Sequence, residues 1–245
     1  MTGRPAVGVL AFAHKIANAL TERRRDQSVA FAYAIWSLPL LITLACVVPP
    51  WTNTDEPFHM LRGVSLAHGY IIGSRFDNHS HTAPAGSGGL SDPAIFEAFS
   101  GLAKLSWLPN QPNGQVTGAM LRRSNDVKWS RNLALQWFGS TAQYPPPFYV
   151  PDILGYWLGR AGHMRVNDTL RLSRCLNALS FVTIATMAIA RACRLRLLLT
   201  AIPMLPMTLS LAASANQDAG LIATAALVVA ELDRLALQRT IRPPS

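Results

Sequence analysis

The stretch PPWTNTDEPFHMLRG, residues 49–63, holds the side chains best suited to chemistry: Asp55, Glu56, His59 and Arg62. Adjacent carboxylates repel each other, and at a membrane–water boundary one of them is well placed as a general base. Such a pair also offers hard oxygen ligands to a divalent cation, Mg or Mn. Two acids at a helix end that simply sit in water are the plain alternative. Glu56, His59 and Arg62 follow at steps of three, which puts them on one helix face. Glu-x-x-His is a metal-binding spacing, with a helix-surface histidine as the other reading. Arg62 suits a phosphate, an ion pair with Glu56 or Asp55, or a lipid headgroup. Asp218, in SANQDAG beside Asn216, is the sole acid between Asp168 and Glu231. It is a second candidate at the same mouth, joining Asp55 and Glu56 around a metal, or else a solvated turn. Asp77, His79 and His81 sit among Gly, Ser and Pro and read as loop. Asn78-His-Ser and Asn167-Asp-Thr match the glycosylation pattern without other signs of use. Cys46, Cys175 and Cys193 read as small apolar residues.

These residues need elements to hold them, and the composition says which. Half of the 245 residues are apolar and 14% are charged, against about 25% charged in ordinary soluble domains. Mean hydropathy is positive, which excludes a disordered chain. A net charge of +9 suits nucleic acid or an anionic membrane surface. The gaps between charges decide for the lipid bilayer and against nucleic acid: residues 27–54, 175–190 and 197–217 contain no Asp, Glu, Lys, Arg or His. A hydrocarbon core about 30 Å thick takes roughly 20 apolar residues as a helix. Residues 29–48 meet that length, and 197–214 meet it narrowly. Residues 172–190 qualify if Arg174 and Arg191 snorkel toward the two interfaces. Residues 219–237, with Glu231 and Asp233 in their last turns, are the weakest. Backbone polar groups in lipid demand helices. The expected fold is therefore all-α, a multi-pass integral membrane protein with about four transmembrane helices.

Short-loop charges set the orientation. Arg4, Lys15, Arg23, Arg24 and Arg25 keep the basic arm, residues 1–28, in the cytoplasm. Arg191, Arg194 and Arg196 in the loop 191–196, and Arg234, Arg239 and Arg242 at and just before the tail 238–245, agree with four spans. The turn 215–218 carries no Lys or Arg and falls outside. Residues 49–171 form one large external loop. Inside it, 144–158 (YPPPFYVPDILGYWL), short and proline-rich, suits an interfacial helix better than the alternative, a fifth span. Residues 92–108 and 117–138, carrying Trp107, Trp129 and Trp137, read as further short amphipathic helices. Residues 79–90 (HSHTAPAGSGGL) read as flexible linker. In the arm, Val9, Phe12, Ile16 and Leu20 recur at helical spacing. The first apolar run lacks a small-x-small cleavage site, so a cleaved signal peptide is not expected.

Four pieces in order carry a resemblance: Pro50-WTNT-Asp55-Glu56-PF-His59-ML-Arg62 closing at Gly69; Tyr-Pro-Pro-Pro-Phe-Tyr at 144–149; Arg-Leu-x-Arg-x-Leu-Asn at 171–177; and Ser-Ala-Asn-x-Asp at 214–218. The chain resembles the bacterial family of predicted membrane proteins known as domain of unknown function 2142. That family is similar in layout to the GT-C class of membrane glycosyltransferases, which take sugar from a polyprenyl-phosphate carrier. The resemblance implies a bacterial inner-membrane protein and a lipid-linked sugar donor. Asp55 then matches the loop acid acting as base or metal ligand, with Glu56 its neighbour and Asp218 a second acid at the mouth. Arg62, His59, Asn216, Tyr144 and Tyr149 fall to substrate binding, the tyrosines in a helix lining the lipid entry. GT-C enzymes have more spans than are counted here, so the resemblance implies an N-terminal part of a longer architecture. The alternative is a non-catalytic or truncated envelope-assembly subunit. A transporter is disfavoured, because no span midpoint carries an ionisable residue.

Overall fold

A computed structural model describes residues 6–53, 55–76, 86–100, 102, 117–130 and 132–241. Asp77, Asn78, His79, His81 and Trp107 lie outside them, as do the side chains of Val9, Phe12, Ile16 and Leu20.

The apolar runs build the helices their composition demands. Helix α1 covers Ala6–Val47 and α6 covers Val166–Arg191. Between them lies a module made of α2 (Glu56–Ala67), β1 (Ser74–Phe76), β2 (Gly86–Ser91), α3 (Ala94–Ser100), α4 (Gly118–Asp126), β3 (Ala134–Trp137), a 3-10 turn (Pro146–Tyr149) and α5 (Val150–Ala161). After α6 come α7 (Arg196–Ala201), a 3-10 turn (Ile202–Met204), α8 (Pro206–Ala212) and α9 (Asp218–Ile241). Among the described residues, two helical stretches are long and apolar enough to cross a membrane, Gln27–Val47 and Val166–Arg191.

The bundle of α1, α6, α8 and α9 is packed inside out relative to a soluble protein. Its buried seam is alanine-rich: Ala178, Ala185, Ala188, Ala212, Ala219, Ala223, Ala226 and Ala230. Its large apolar side chains face outward, with Trp36 and Met207 each 76% exposed. Small residues let helix backbones approach closely, and outward Leu, Met and Trp suit lipid.

The all-α expectation is corrected in the module, which carries a three-stranded antiparallel sheet in the order β1-β2-β3. Ser74 pairs with Gly88, and Gly88 in turn with Trp137. The glycines of 86–89, read as linker, are strand residues. A β-carbon on Gly88 would stand 2.0 Å from the Gln136 carbonyl oxygen, so only glycine permits that approach. The helix expected over 117–138 ends at Asp126, and the chain then extends into β3. The span expected over 197–214 is broken at Leu205, whose extended backbone separates the two prolines, Pro203 and Pro206. Proline removes a backbone donor and disfavours helix in the residue before it.

α5 crosses α6 at close range through Gly155 and Gly159. A β-carbon at Gly155 would meet Ser173 Oγ at 2.1 Å, and one at Gly159 would meet Thr169 Oγ1 at 2.4 Å. At 12 residues α5 is about 18 Å long, short of the hydrocarbon thickness. Val150, Leu154, Trp157 and Leu158 lie along its exposed side, with Tyr70, Ile71 and Ile72 exposed after α2.

Candidate functional site

Every residue of α2 from Glu56 to Leu66 is buried, including the stripe Glu56, His59 and Arg62. The stripe expected from their spacing exists, but it faces protein, and each member has its own partner.

Glu56 forms a fully buried ion pair with Arg174 of α6. Arg174 Nε donates to Glu56 Oε1 at 2.7 Å and its NH2 to Oε2 at 2.6 Å. The same carboxylate accepts from the backbone N–H groups of Trp51 (3.2 Å) and Ala215 (3.0 Å). Arg174 further donates to the carbonyls of Ala45, Val48 and Pro49, closing the C-terminal end of α1, where a cation meets the negative end of the helix. From sequence, Arg174 is expected to snorkel to an interface; instead it is fully buried. It turns inward because a guanidinium in an apolar segment needs a carboxylate, and Glu56 supplies one. With four donors on its two oxygens, Glu56 has no place for a cation. Among the described residues no three His, Cys, Asp or Glu side chains gather as a metal site, so Asp55, Glu56 and Asp218 do not converge on one ion.

Asp55 stands exposed, one residue ahead of the clamp. It takes the N-cap place of α2 in left-handed backbone (φ 60°, ψ 2°), and its side chain makes no capping bond. A non-glycine residue held so costs about 1–3 kcal/mol, and such outliers cluster at functional sites.

His59 shares a 2.8 Å hydrogen bond between Nδ1 and the Tyr149 hydroxyl, and its ring stacks on Tyr144 at 6.0 Å. Burial pulls the imidazole down to about 4, so it is neutral at pH 7. Burial, then Asp152, push the Tyr149 phenol up; Asp218 adds to this and Arg62 opposes it. Asp218 itself is half-buried in the first turn of α9. Asn216 locks that turn: its Oδ1 accepts from the N–H of Asp218 (2.9 Å) and Ala219 (3.2 Å), and its Nδ2 donates to the Leu211 carbonyl and Ser214 Oγ. Its contacts are those of a helix cap. Asn167, a glycosylation candidate, is buried, bonded to Trp51 Nε1 and to Ser124 and Asn125.

Arg62 is 2% exposed. Its NH2 donates to the carbonyls of Ile71 (2.7 Å) and Tyr144 (3.2 Å), and its NH1 to that of Tyr70 (3.4 Å). Its Nε has no partner. Among the described residues it makes no ion pair, neither with Glu56 nor with Asp55, and burial pulls its affinity for the proton down. It lines a cleft of about 360 Å³ with Arg75, Tyr144, Pro145 and the exposed Ile71 and Ile72. A desolvated guanidinium without a counter-charge among the described residues, opening on a cleft with one further arginine and an apolar rim, has the chemistry to hold an anion carried on an apolar chain.

Sequence reasoning passed over four participants. Arg174 and Asn177 come from the Arg-Leu-x-Arg-x-Leu-Asn run; Asn177 Nδ2 donates to Asp152 Oδ1 at 2.9 Å. Burial holds the Asp152 carboxyl well above the usual range, and its other oxygen has no partner. Arg75 carried no signal beyond its charge. The signal for Arg174 was present: an arginine at the edge of an apolar run with an acid just beyond the preceding one.

A family model described as predicted membrane protein (DUF2142) matches residues 38–245. No curated protein matches the chain, and no solved structure does.

Proposed function

The chain belongs to the DUF2142 family of predicted membrane proteins, and from that premise we propose that it handles a lipid-linked phosphate at the outer face of the bacterial inner membrane, transferring sugar from a polyprenyl-phosphate carrier to a cell-envelope acceptor. One observation carries the reading: buried Arg62, without a counter-charge among the described residues, faces a cleft whose rim is Ile71 and Ile72. Such a cleft matches an anionic headgroup with its chain lying toward the bilayer. The exposed apolar side of α5 and of residues 70–72 supports docking of the module on the membrane surface.

The proposed topology has four spans, built from residues of α1, α6, the broken α7–α8 segment and α9, with the N-terminus in the cytoplasm. In support, Asp233 Oδ2 accepts from the backbone N–H of Cys193 and Arg194, both at 2.7 Å, and Glu231 pairs with Arg191. The acids of α9 thus sit level with the loop after α6, which supports a place for them at a membrane surface.

In the proposed reaction Asp55 takes the proton of the acceptor hydroxyl. That oxygen bonds to the anomeric carbon as the bond from this carbon to the carrier phosphate breaks. Arg62 and Arg75 hold the departing phosphate, and His59 and Tyr149 fix the cleft wall. Glu56 enters as a positioning residue for Asp55. A second reading, a non-catalytic envelope-assembly subunit, is favoured by the clamp itself, which takes one of the two acids out of reach. Transfer from a labelled polyprenyl-phosphate sugar in membranes holding the protein tests the proposal. Asp55→Asn is expected to lose about 10²–10⁴-fold in rate with expression unchanged; full activity would leave the carrier cleft without this base. Arg62→Gln is expected to weaken carrier binding.

A further inference from the structure

The module holds a second cleft, of about 510 Å³, lined by Lys128, Trp129, Arg160, His163 and Met164. That volume suits a small-molecule site. It opens at the C-terminal end of α5, while Pro146 of the Arg62 cleft precedes the N-terminal end, so the length of α5, about 18 Å, separates the two. None of its residues serves the reaction proposed above.

Its parts are fixed before any ligand arrives. The Trp129 indole donates from Nε1 to Thr169 Oγ1 at 3.0 Å and stands edge-on to Tyr156 with ring centroids 5.0 Å apart. It is half-buried, a pinned aromatic wall. Arg160 donates from NH1 to the Ser130 carbonyl at 3.0 Å. Lys128 and Arg160 make no ion pair among the described residues. The nearby carboxylate, Asp92, is buried and held by the N–H groups of Ala94 and Ser130. His163 closes α5 in left-handed backbone, φ 54°, with the Met164 N–H reaching back to the Gly159 carbonyl at 2.8 Å. Helices usually place glycine there. Here a strained residue keeps an imidazole in the cleft wall.

We propose that this cleft binds an anionic saccharide, with Trp129 against the face of a sugar ring and Lys128, Arg160 and His163 around its carboxylate or phosphate. Charge-assisted bonds from Arg160 and Lys128 supply the affinity for the anion; the pinned indole selects a ring over a bare ion. The choice of a saccharide over a nucleotide rests on the external placement of the module. It does not rest on sugar transfer, so an inactive protein that still binds would leave this site standing.

Calorimetric titration of the full chain in detergent or nanodiscs, with tri-galacturonate, maltotriose, uridine monophosphate and inorganic phosphate, tests it. Tri-galacturonate is expected to bind saturably, and maltotriose at least about tenfold more weakly. Lys128→Gln, Arg160→Gln and Trp129→Ala are each expected to weaken binding about tenfold, the loss of one charge-assisted or aromatic contact. His163→Gly removes the backbone strain, so its Tm is expected to hold or rise while affinity falls, which separates lost binding from lost folding. No binding of tri-galacturonate, equal or tighter binding of maltotriose, uridine monophosphate or phosphate, or unchanged affinity in Trp129→Ala and His163→Gly would each overturn the proposal.

Discussion

Three side chains spaced along one face of α2 have three different electrostatic fates, and each is measurable. Glu56 is locked to Arg174 with both side chains fully buried. Removing one partner of such a pair leaves a buried charge, a loss of about 3–5 kcal/mol, whereas replacing both with apolar residues often costs little. Glu56→Gln is therefore expected to lower thermal stability steeply, and Glu56→Leu with Arg174→Met to recover much of it. An additive double variant would show that the two residues do not act as a pair. His59 behaves differently. Its folded pKa of about 4 lies below the unfolded value of about 6.5, so between those values the unfolded state binds more protons. Stability is fully present above about pH 6.5 and falls as the pH drops toward 4, by roughly 3 kcal/mol in all. His59→Gln, which keeps a partner for Tyr149, is expected to flatten the melting profile across that window. An unchanged slope would assign the acid sensitivity to other groups.

Among the elements, the crossing of α5 over α6 governs how the site holds together. Tyr149 leads into α5, Asp152 within it bonds to Asn177 of α6, and Arg174 of α6 bonds to Glu56 of α2. The two glycines at the crossing allow this contact. Gly155→Ala would place a methyl group 2.1 Å from Ser173 Oγ and 2.9 Å from its Cα. Backbone cannot yield as a flexible side-chain tip does, and overpacking of this kind costs typically about 1–3 kcal/mol. A melt lower in Gly155→Ala than in Gly162→Ala is expected; Gly162 follows the helix and meets no atom closer than 3.3 Å. Equal melts would mean that the crossing tolerates more separation than the contact distances imply. The four sequence pieces acquire a physical meaning at this scale. Tyr144, Tyr149, Arg174, Asn177 and Ala215 each reach α2 or the helix packed on it.

For the whole molecule, the placement of charge and of large apolar side chains defines a slab. Arg174 and Arg191, the charged bounds of the apolar part of α6, are about 25 Å apart along the helix axis, close to the hydrocarbon thickness. The proposed topology puts His163 outside and Arg194 inside. With Cys46, Cys175 and Cys193 changed to Ser, a membrane-impermeant maleimide applied to intact spheroplasts is expected to label His163→Cys but not Arg194→Cys until the membrane is opened. Labelling of Arg194→Cys from outside would contradict the proposed topology, in which two crossings separate it from an arm in the cytoplasm, and the four-span arrangement would fall.

The sequence by itself determined what depends on local composition. Long charge-free runs made helices and excluded a soluble chain, because lipid leaves the backbone no other partner. The spacing of Glu56, His59 and Arg62 put them on one face, and the four motif pieces placed the chain in its family. Only the tertiary structure decided which way that face pointed and what each residue met. Glu56 and Arg174 are 118 residues apart in the chain, and no local pattern says which cation an acid will find once both leave water. The glycines of β2 carry no strand propensity; they form a strand because Trp137 and Gln136 close on them from a segment read as helical. The same holds for Arg62, whose lack of a counter-charge among the described residues is a property of everything packed around it, and it is that feature on which the proposed function rests.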